Sequence, residues 1–264
     1  MRYWLIVILG FFSIVALHQF ITYEPVQAPK TVQHTSVRHL GVIMDGNRRW
    51  AEKNNLTHAI AYGRGIEVLQ TTIDYCLTNG ITMLSAYAFS LENFKRSPHE
   101  IQAVFQQFAQ EAHTAFPSLA QRKISVHFIG DRELFPPELS TTIKTLEEQT
   151  AQGSALRLNI LFCYGGRQEI VNAVKTIVKE IRDKKTTEIP TEETFKNYLW
   201  TKNIPDPDLV IRTGGIKRLS NFMPYQTTYS ELYFTDHLWP DLTTQDLDAA
   251  LADYEHRKRT TFGK

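Results

Sequence analysis

The sequence predicts an α/β fold: a single domain with a central, mostly parallel six-stranded sheet flanked by helices and preceded by a hydrophobic N-terminal helix. Two observations predict it. After a polar stretch ending near Ser36, short apolar runs bounded by loops alternate with longer amphipathic segments, with no repeat or low-complexity tract between them. Several of the runs are apolar at consecutive positions, as parallel strands covered on both faces are. The 264 residues, 42% hydrophobic and 22% charged, suffice for a sizeable core and exclude intrinsic disorder and collagen-like sequence.

The elements follow in order. Tyr3 to Tyr23 carry no Asp, Glu, Lys or Arg, and Trp4 to Leu17 is almost continuously apolar behind Arg2. A bilayer span takes roughly 20 apolar residues, so a short or tilted membrane anchor is expected within residues 1–32, including the linker. A cleaved signal peptide, with Ala28 after Val26 as its processing site, is the alternative. Orientation stays open, because Arg2 lies on one side and Lys30, Arg38, Arg48 and Arg49 on the other. The folded domain is expected over 33–264, its strands at Leu40 to Met44, Met83 to Phe89, Ser125 to Ile129, Leu156 to Cys163, Leu209 to Ile211 and Glu231 to Phe234. Helices are expected at Gly65 to Thr78, Pro137 to Gln149, Arg167 to Asp183, Glu192 to Trp200 and Thr244 to Arg259. Another follows Ser97-Pro98, where Ile101, Val104, Phe105, Phe108, Ala112 and Phe116 recur at helical spacing. That face either packs into the core or lines a hydrophobic channel.

Charge and cysteine content narrow the function. Lys and Arg number 29 against 28 Asp and Glu, so no global basic field argues for nucleic acid and any anion site must be a local cluster. Cys76 and Cys163 form no CxxC pair and stand near no histidine pair, which argues against a disulfide framework or zinc site and for two core thiols.

In an open parallel sheet, ligands bind beyond the carboxyl ends of the strands, and the unusual polar residues fall there. The first strand runs into Asp45-Gly46-Asn47-Arg48-Arg49-Trp50. Gly46 lets the backbone turn toward a ligand, the following N–H groups can face oxygen atoms, and Arg49 can fork onto a phosphate. Asp45 beside such an anion makes sense if a hard divalent cation bridges the two, as Mg2+ does with one or two carboxylates and phosphate oxygens. A surface turn with an Asx cap is the bland alternative. The second strand ends in Ser90-Leu91-Glu92-Asn93-Phe94-Lys95-Arg96, and the fifth in Arg212-Thr213-Gly214-Gly215, with Lys217, Arg218, Leu219, Ser220 and Asn221 behind it. Three strand-end clusters, each joining a cation to small or amide residues, point to more than one anion site. Glu231 opens the last strand among aromatics, where a carboxylate needs a partner, a metal or solvent. No GxxxxGK[ST] or GxGxxG loop supports a nucleotide-binding module.

These residues resemble the cis-prenyltransferases of the undecaprenyl diphosphate synthase type. The resemblance spans about residues 39 to 264 and rests on HLGVIMDGNRRW (His39 to Trp50), AYAFSLENFKR (Ala86 to Arg96), LNILFCYGGR (Leu158 to Arg167), DLVIRTGG (Asp208 to Gly215), RLSNF (Arg218 to Phe222) and ELYFTDHLWP (Glu231 to Pro240). It implies repeated condensation of isopentenyl diphosphate onto an allylic diphosphate, usually farnesyl diphosphate, with Mg2+, in a homodimer. It makes Asp45 the central acid and puts Gly46, Asn47, Arg48, Arg49 and Trp50 around the allylic diphosphate. Ser90 and Asn93 match active-site positions, Asn93 in the proton-removal step; Leu91, Glu92 and Phe94 complete that loop, and Arg96 reaches the diphosphate region. Arg212, Arg218, Leu219 and Ser220 match the isopentenyl diphosphate clamp, and Glu231 a second acid at the metal. An insoluble product favours membrane association through the N-terminus, with the catalytic domain cytoplasmic.

The sequence departs from the usual bacterial pattern at several points. Arg48 stands where glycine is common, Ile60 and Arg64 where an arginine and a histidine are usual, and Ile216 where a glutamate is. These departures bear on substrate preference and chain length. A short-chain or specialised synthase and a noncatalytic membrane-bound partner subunit are the alternatives.

Overall fold

The computed structural model describes residues 35–257 except residue 115, and the side chains of 111–117 and 138 are also outside it. The described residues belong to one unit, Val32–Lys264. The expected N-terminal helix, and with it Tyr3 to Tyr23, lies outside the described residues.

Six strands form one sheet: β1 (His39–Ile43), β2 (Met83–Ser90), β3 (Ile124–Ile129), β4 (Leu156–Tyr164), β5 (Leu209–Arg212) and β6 (Glu231–Phe234). Their order is β3-β4-β2-β1-β5-β6 and every pairing is parallel, where the sequence led us to expect a mostly parallel sheet. The reason is visible in the burial: all five residues of β1 and all four of β5 are buried, so both faces are covered.

The helices are α1 (Asn47–Lys53), α2 (His58–Thr78), α3 (Pro98–Thr114), α4 (Phe116–Gln121), α5 (Pro137–Thr150), α6 (Gly166–Arg182), α7 (Glu192–Phe195) and α8 (Thr244–His256). Helix α2 begins well before the expected Gly65, because the Thr57 hydroxyl caps it by accepting the Ile60 N–H. Gly65 is not a helix start but a contact point, for a Cβ there would lie 2.6 Å from Asn47 Oδ1 and 3.1 Å from the Trp239 ring. The expected helix from Glu192 to Trp200 is only α7 followed by a 3₁₀ turn at Lys196–Tyr198.

The larger core lies on one face of the sheet. It joins alternate strand residues such as Leu40, Val42, Leu84, Phe128 and Phe162 to Val68 and Ile73 of α2, Leu139 and Ile143 of α5, and Leu247 and Leu251 of α8. The opposite face carries a smaller core of Ile43, Tyr87, Leu161, Val210, Phe222 and Met223. Cys76 and Cys163 are free and buried, as expected of core thiols. Among the described residues no helix is long and apolar enough to cross a membrane.

Candidate active site

Strands β1 and β5 are neighbours, with Ile43 opposite Arg212, yet the chain leaves β1 toward β2 on one side and β5 toward β6 on the other. Such a reversal opens a crevice at the carboxyl edge of the sheet. Here it is a cavity of about 1040 Å³. Six arginines, Arg48, Arg49, Arg96, Arg167, Arg212 and Arg218, line it against three acids, Asp45, Glu52 and Glu92. A chain of net charge +1 therefore concentrates positive charge in one concave place.

Asp45 is the hub. Its Oδ1 accepts Arg49 Nη2 at 3.1 Å and its Oδ2 accepts Arg212 Nη2 at 2.8 Å. The main chain under it is fixed by Thr213, whose Oγ1 donates to the Asp45 carbonyl at 2.6 Å, and by the Trp239 N–H, which donates to the same carbonyl at 3.0 Å. Gly46, at φ 120°, turns the chain from β1 into α1 with no side-chain cap. Arg49 also donates to the Gly214 carbonyl at 2.7 Å, and Arg212 to Ser220 Oγ at 2.7 Å and to the Arg218 carbonyl. Arg218 Nε reaches the same Ser220 hydroxyl at 3.2 Å. Two buried polar atoms in this region, Asn47 Oδ1 and Arg212 Nε, have no partner within the protein, as expected where a ligand or solvent is taken up.

A second cluster gathers around Glu100, which is only 7% exposed. Its Oε1 faces Arg48 Nε at 3.5 Å and Arg96 Nη1 at 3.2 Å, and accepts the Tyr62 hydroxyl at 3.1 Å. Burial is the main cause that pushes the Tyr62 phenol up to about 12, so it stays a neutral donor. Asn93 closes the turn after β2: its Oδ1 accepts the Ser90 N–H at 3.1 Å in a reciprocal cap.

Beyond the polar end the walls become apolar, built from Ile66 and Leu69 of α2, Ala88 and Phe89 of β2, Val104 and Phe108 of α3, and Ile160 of β4. The amphipathic face of α3 thus does both things open to it. Val104 and Phe108 line the cavity, while Phe105 packs against Phe89 and Phe162 with ring centroids 5.0 and 5.6 Å apart. The side chains of Ala112 and Phe116 lie outside the described residues.

Of the residues expected at the site, Asp45, Gly46, Asn47, Arg48, Arg49, Ser90, Glu92, Asn93, Arg96, Arg212, Arg218 and Ser220 line the cavity together. Trp50, Leu91, Phe94 and Leu219 do not. Trp50 Nε1 instead donates to Asp241 at 2.6 Å, Leu91 packs on the larger core, Phe94 meets Phe89 edge to face, and Leu219 packs on the smaller core. Glu231 is not brought to Asp45. In the register Leu40 pairs with Leu209 and Leu209 with Glu231, which puts Glu231 at the amino edge, roughly 15 Å back along the strand direction. There its carboxylate takes Arg257 Nη1 at 2.6 Å, so within one chain Asp45 and Glu231 do not share an ion. Among the described residues no group of three His, Cys, Asp or Glu forms a metal cage. Sequence reasoning missed Glu100, Tyr62 and Trp239, and assigned no role to Arg167 or Asn221. Arg64 lies outside the cavity, its Nη1 on Glu67 at 2.6 Å, and Ile60 is exposed.

Residues 43–263 match the sequence profile of the family described as "Putative undecaprenyl diphosphate synthase". An isoprenyl transferase of Thermotoga maritima is 41% identical over 226 residues, 86% of this chain and 97% of the relative. A tritrans,polycis-undecaprenyl-diphosphate synthase (geranylgeranyl-diphosphate specific) of Thermoplasma volcanium is 38% identical over 249 residues, 92% and 95% of the two chains. Among solved structures, lavandulyl diphosphate synthase from Lavandula x intermedia, in complex with dimethylallyl diphosphate, superposes with a TM-score of 0.81 at 31% identity over 85% of this chain and 97% of that one. A probable undecaprenyl diphosphate synthase from Campylobacter jejuni does so with a TM-score of 0.72, also at 31% identity, over 86% and 99%. With the arginine-lined cavity at its sheet switch point and these relatives over most of its length, the chain belongs to the undecaprenyl diphosphate synthase family of cis-prenyltransferases.

Proposed function

We propose that the protein condenses isopentenyl diphosphate units onto an allylic diphosphate, farnesyl diphosphate being the expected primer, to make a polyprenyl diphosphate such as undecaprenyl diphosphate. The observation that carries this reading is Asp45 held between Arg49 and Arg212 at the polar end of a cavity whose far walls are apolar. The first arginine belongs to the cluster expected to hold the allylic diphosphate and the second to the cluster expected to hold isopentenyl diphosphate.

In this reading the allylic C–O bond breaks, the homoallylic double bond attacks the allylic carbon to form a C–C bond, and a proton leaves the new unit. Arg48, Arg49 and Arg96 stabilise the charge that grows on the departing diphosphate. Arg212, Arg218 and Ser220 hold the second diphosphate so that its double bond lies close to the allylic carbon, replacing a bimolecular encounter by a positioned one. Asn93, a neutral amide whose oxygen already accepts the Ser90 N–H, orients the reactants, and the diphosphate oxygens are the basic groups that take the proton. Each added five-carbon unit that enters the apolar part gains on the order of 3 to 4 kcal/mol, at about 0.8 kcal/mol per methylene, which keeps the growing chain bound.

The donor set fits Mg2+ as a carboxylate-plus-phosphate ligand set. Asp45 is 31% exposed at the side chain, and each of its oxygens has a lone pair left beyond its arginine. Bound there together with a diphosphate, the cation would offset phosphate charge during ionisation.

A homodimer is part of the proposal. Val171, Val174, Val178 and Ile181 form an exposed stripe along α6, 40 to 58% accessible, of the kind that a second copy covers. Membrane association through the apolar residues 3–23 of a chain whose catalytic domain is cytoplasmic also belongs to it, since the product is insoluble. A short or specialised product is the second reading, favoured by the likeness to lavandulyl diphosphate synthase. Labelled isopentenyl diphosphate and Mg2+ with dimethylallyl, farnesyl or geranylgeranyl diphosphate in turn, followed by sizing of products, separates the two. A ladder of long products supports polyprenyl synthesis, a single short product the second reading, and no incorporation with any primer contradicts both.

A further inference from the structure

The loop after β5 carries Arg218 and Ser220, and its backbone is unusual: Ser220 and Asn221 have φ of 48° and 68°. Asparagine is among the side chains that tolerate this left-handed region best. Asn221 uses all its amide groups on other segments. Its Nδ2 donates to Glu92 Oε1 at 2.8 Å and to Gln168 Oε1 at 3.0 Å, and its Oδ1 accepts the Arg167 N–H at 2.8 Å. Its backbone carbonyl accepts the Gly166 N–H at 2.9 Å. One partly buried residue at the cavity therefore joins the segments that follow β2, β4 and β5. Glu92 is the chain neighbour of Asn93, so the link runs from the Asn93 turn to the Arg218–Ser220 loop.

We propose that Asn221 is a positioning residue that sets the spacing between the Asn93 turn and the isopentenyl diphosphate clamp through Glu92. This rests on the condensation reading above. Asn221 bonds to none of the arginine side chains assigned to either diphosphate, so a loosened link leaves each cluster able to bind its diphosphate. What changes is the alignment of the two carbons that must bond, to which the rate is steeply sensitive.

The test is a single-turnover condensation. Asn221→Asp keeps the side-chain shape, the tolerance of positive φ and the acceptor for Arg167, but turns a carboxylate toward Glu92. The first condensation is expected to slow about tenfold, the scale of one lost charge-assisted hydrogen bond. The dissociation constants of each substrate alone are expected to stay within about twofold, and the melting curve to be unchanged. Adding Glu92→Gln to Asn221→Asp restores an N–H···O bond in the reverse direction and should recover most of the rate. Glu92→Ala, at an exposed side chain, should slow the reaction as much as Asn221→Asp does, and decides the matter if Asn221→Asp does not fold. A wild type that incorporates no isopentenyl diphosphate overturns the condensation reading. An active wild type overturns this inference alone if either single variant keeps full rate, or if Glu92→Gln fails to relieve Asn221→Asp.

Discussion

Arg212 donates from Nη2 to Asp45 Oδ2 at 2.8 Å, its side chain only 5% exposed, across the two neighbouring strands from which the chain departs in opposite directions. The same guanidinium holds Ser220 and the Arg218 carbonyl, so one planar group ties the acid to the second anion cluster. Lysine offers a point charge instead of a fork. Arg212→Lys is expected to lower turnover about a hundredfold, the scale of removing one preorganised electrostatic partner, with an unchanged circular dichroism spectrum. Steady-state incorporation of labelled isopentenyl diphosphate checks it, and activity near that of wild type would show that the fork is dispensable.

Glu100 holds Arg48, Arg96 and Tyr62 from a nearly buried position. Its removal leaves two guanidinium groups facing each other without their shared acceptor. Glu100→Ala is expected to cost about 1 to 3 kcal/mol of stability in urea unfolding and to weaken binding of the allylic diphosphate while sparing that of isopentenyl diphosphate. Equal losses at both substrates would contradict the assignment of the two arginines to one side.

Gly214, at φ 81°, lets the chain pass under the site: a Cβ there would stand 2.4 Å from Arg49 Nη2 and 3.1 Å from the Asp45 carbonyl oxygen. Gly214→Ala is expected to cost about 1 to 2 kcal/mol through the backbone. By displacing Arg49 it should also reduce turnover on the order of a hundredfold. Thermal melts beside activity assays read the two effects separately.

His39 gives the pH prediction. The Pro205 carbonyl can only accept, so Nδ1 carries the proton it donates there at 2.7 Å, and Nε2 accepts Ser85 Oγ at 2.7 Å. Burial lowers its pKa from 6.5 to about 4. The unfolded chain therefore takes up a proton that the fold refuses. The stability tied to neutral His39 is fully present above pH 6.5 and is lost as pH falls toward 4, up to about 3 kcal/mol. Unfolding measured between those limits should slope less in His39→Gln than in the wild type.

The valine stripe on α6 predicts association. Val174→Lys combined with Val178→Lys places charge in the middle of the proposed dimer face, and sedimentation should convert a dimer to a monomer that keeps its secondary structure. A wild type that sediments as a monomer would contradict the proposed dimer.

How much of this was legible in the sequence depends on distance along the chain. The strand ends were legible because apolar runs stop abruptly at Asp45, Ser90 and Arg212, and a parallel sheet brings such ends together. Glu231 does not reach Asp45 within one chain because it opens its strand instead of ending it, and in a parallel sheet an opening residue belongs to the other edge. Trp50 and Phe94 sit inside the right motifs but point to Asp241 and Phe89, which only the packing decides. The role of Glu100 was legible only as far as Arg96, four residues before it. The rest depends on Tyr62 and Arg48, which arrive from α2 and α1, and nothing near Glu100 in the sequence names them.

The most direct test of the central claim compares wild type with Asp45→Ala in a purified assay of labelled isopentenyl diphosphate, an allylic diphosphate and Mg2+, with folding followed in parallel. The account predicts Mg2+-dependent incorporation by the wild type and its abolition in Asp45→Ala with the fold intact. Near-normal turnover in the folded Asp45→Ala protein would contradict it.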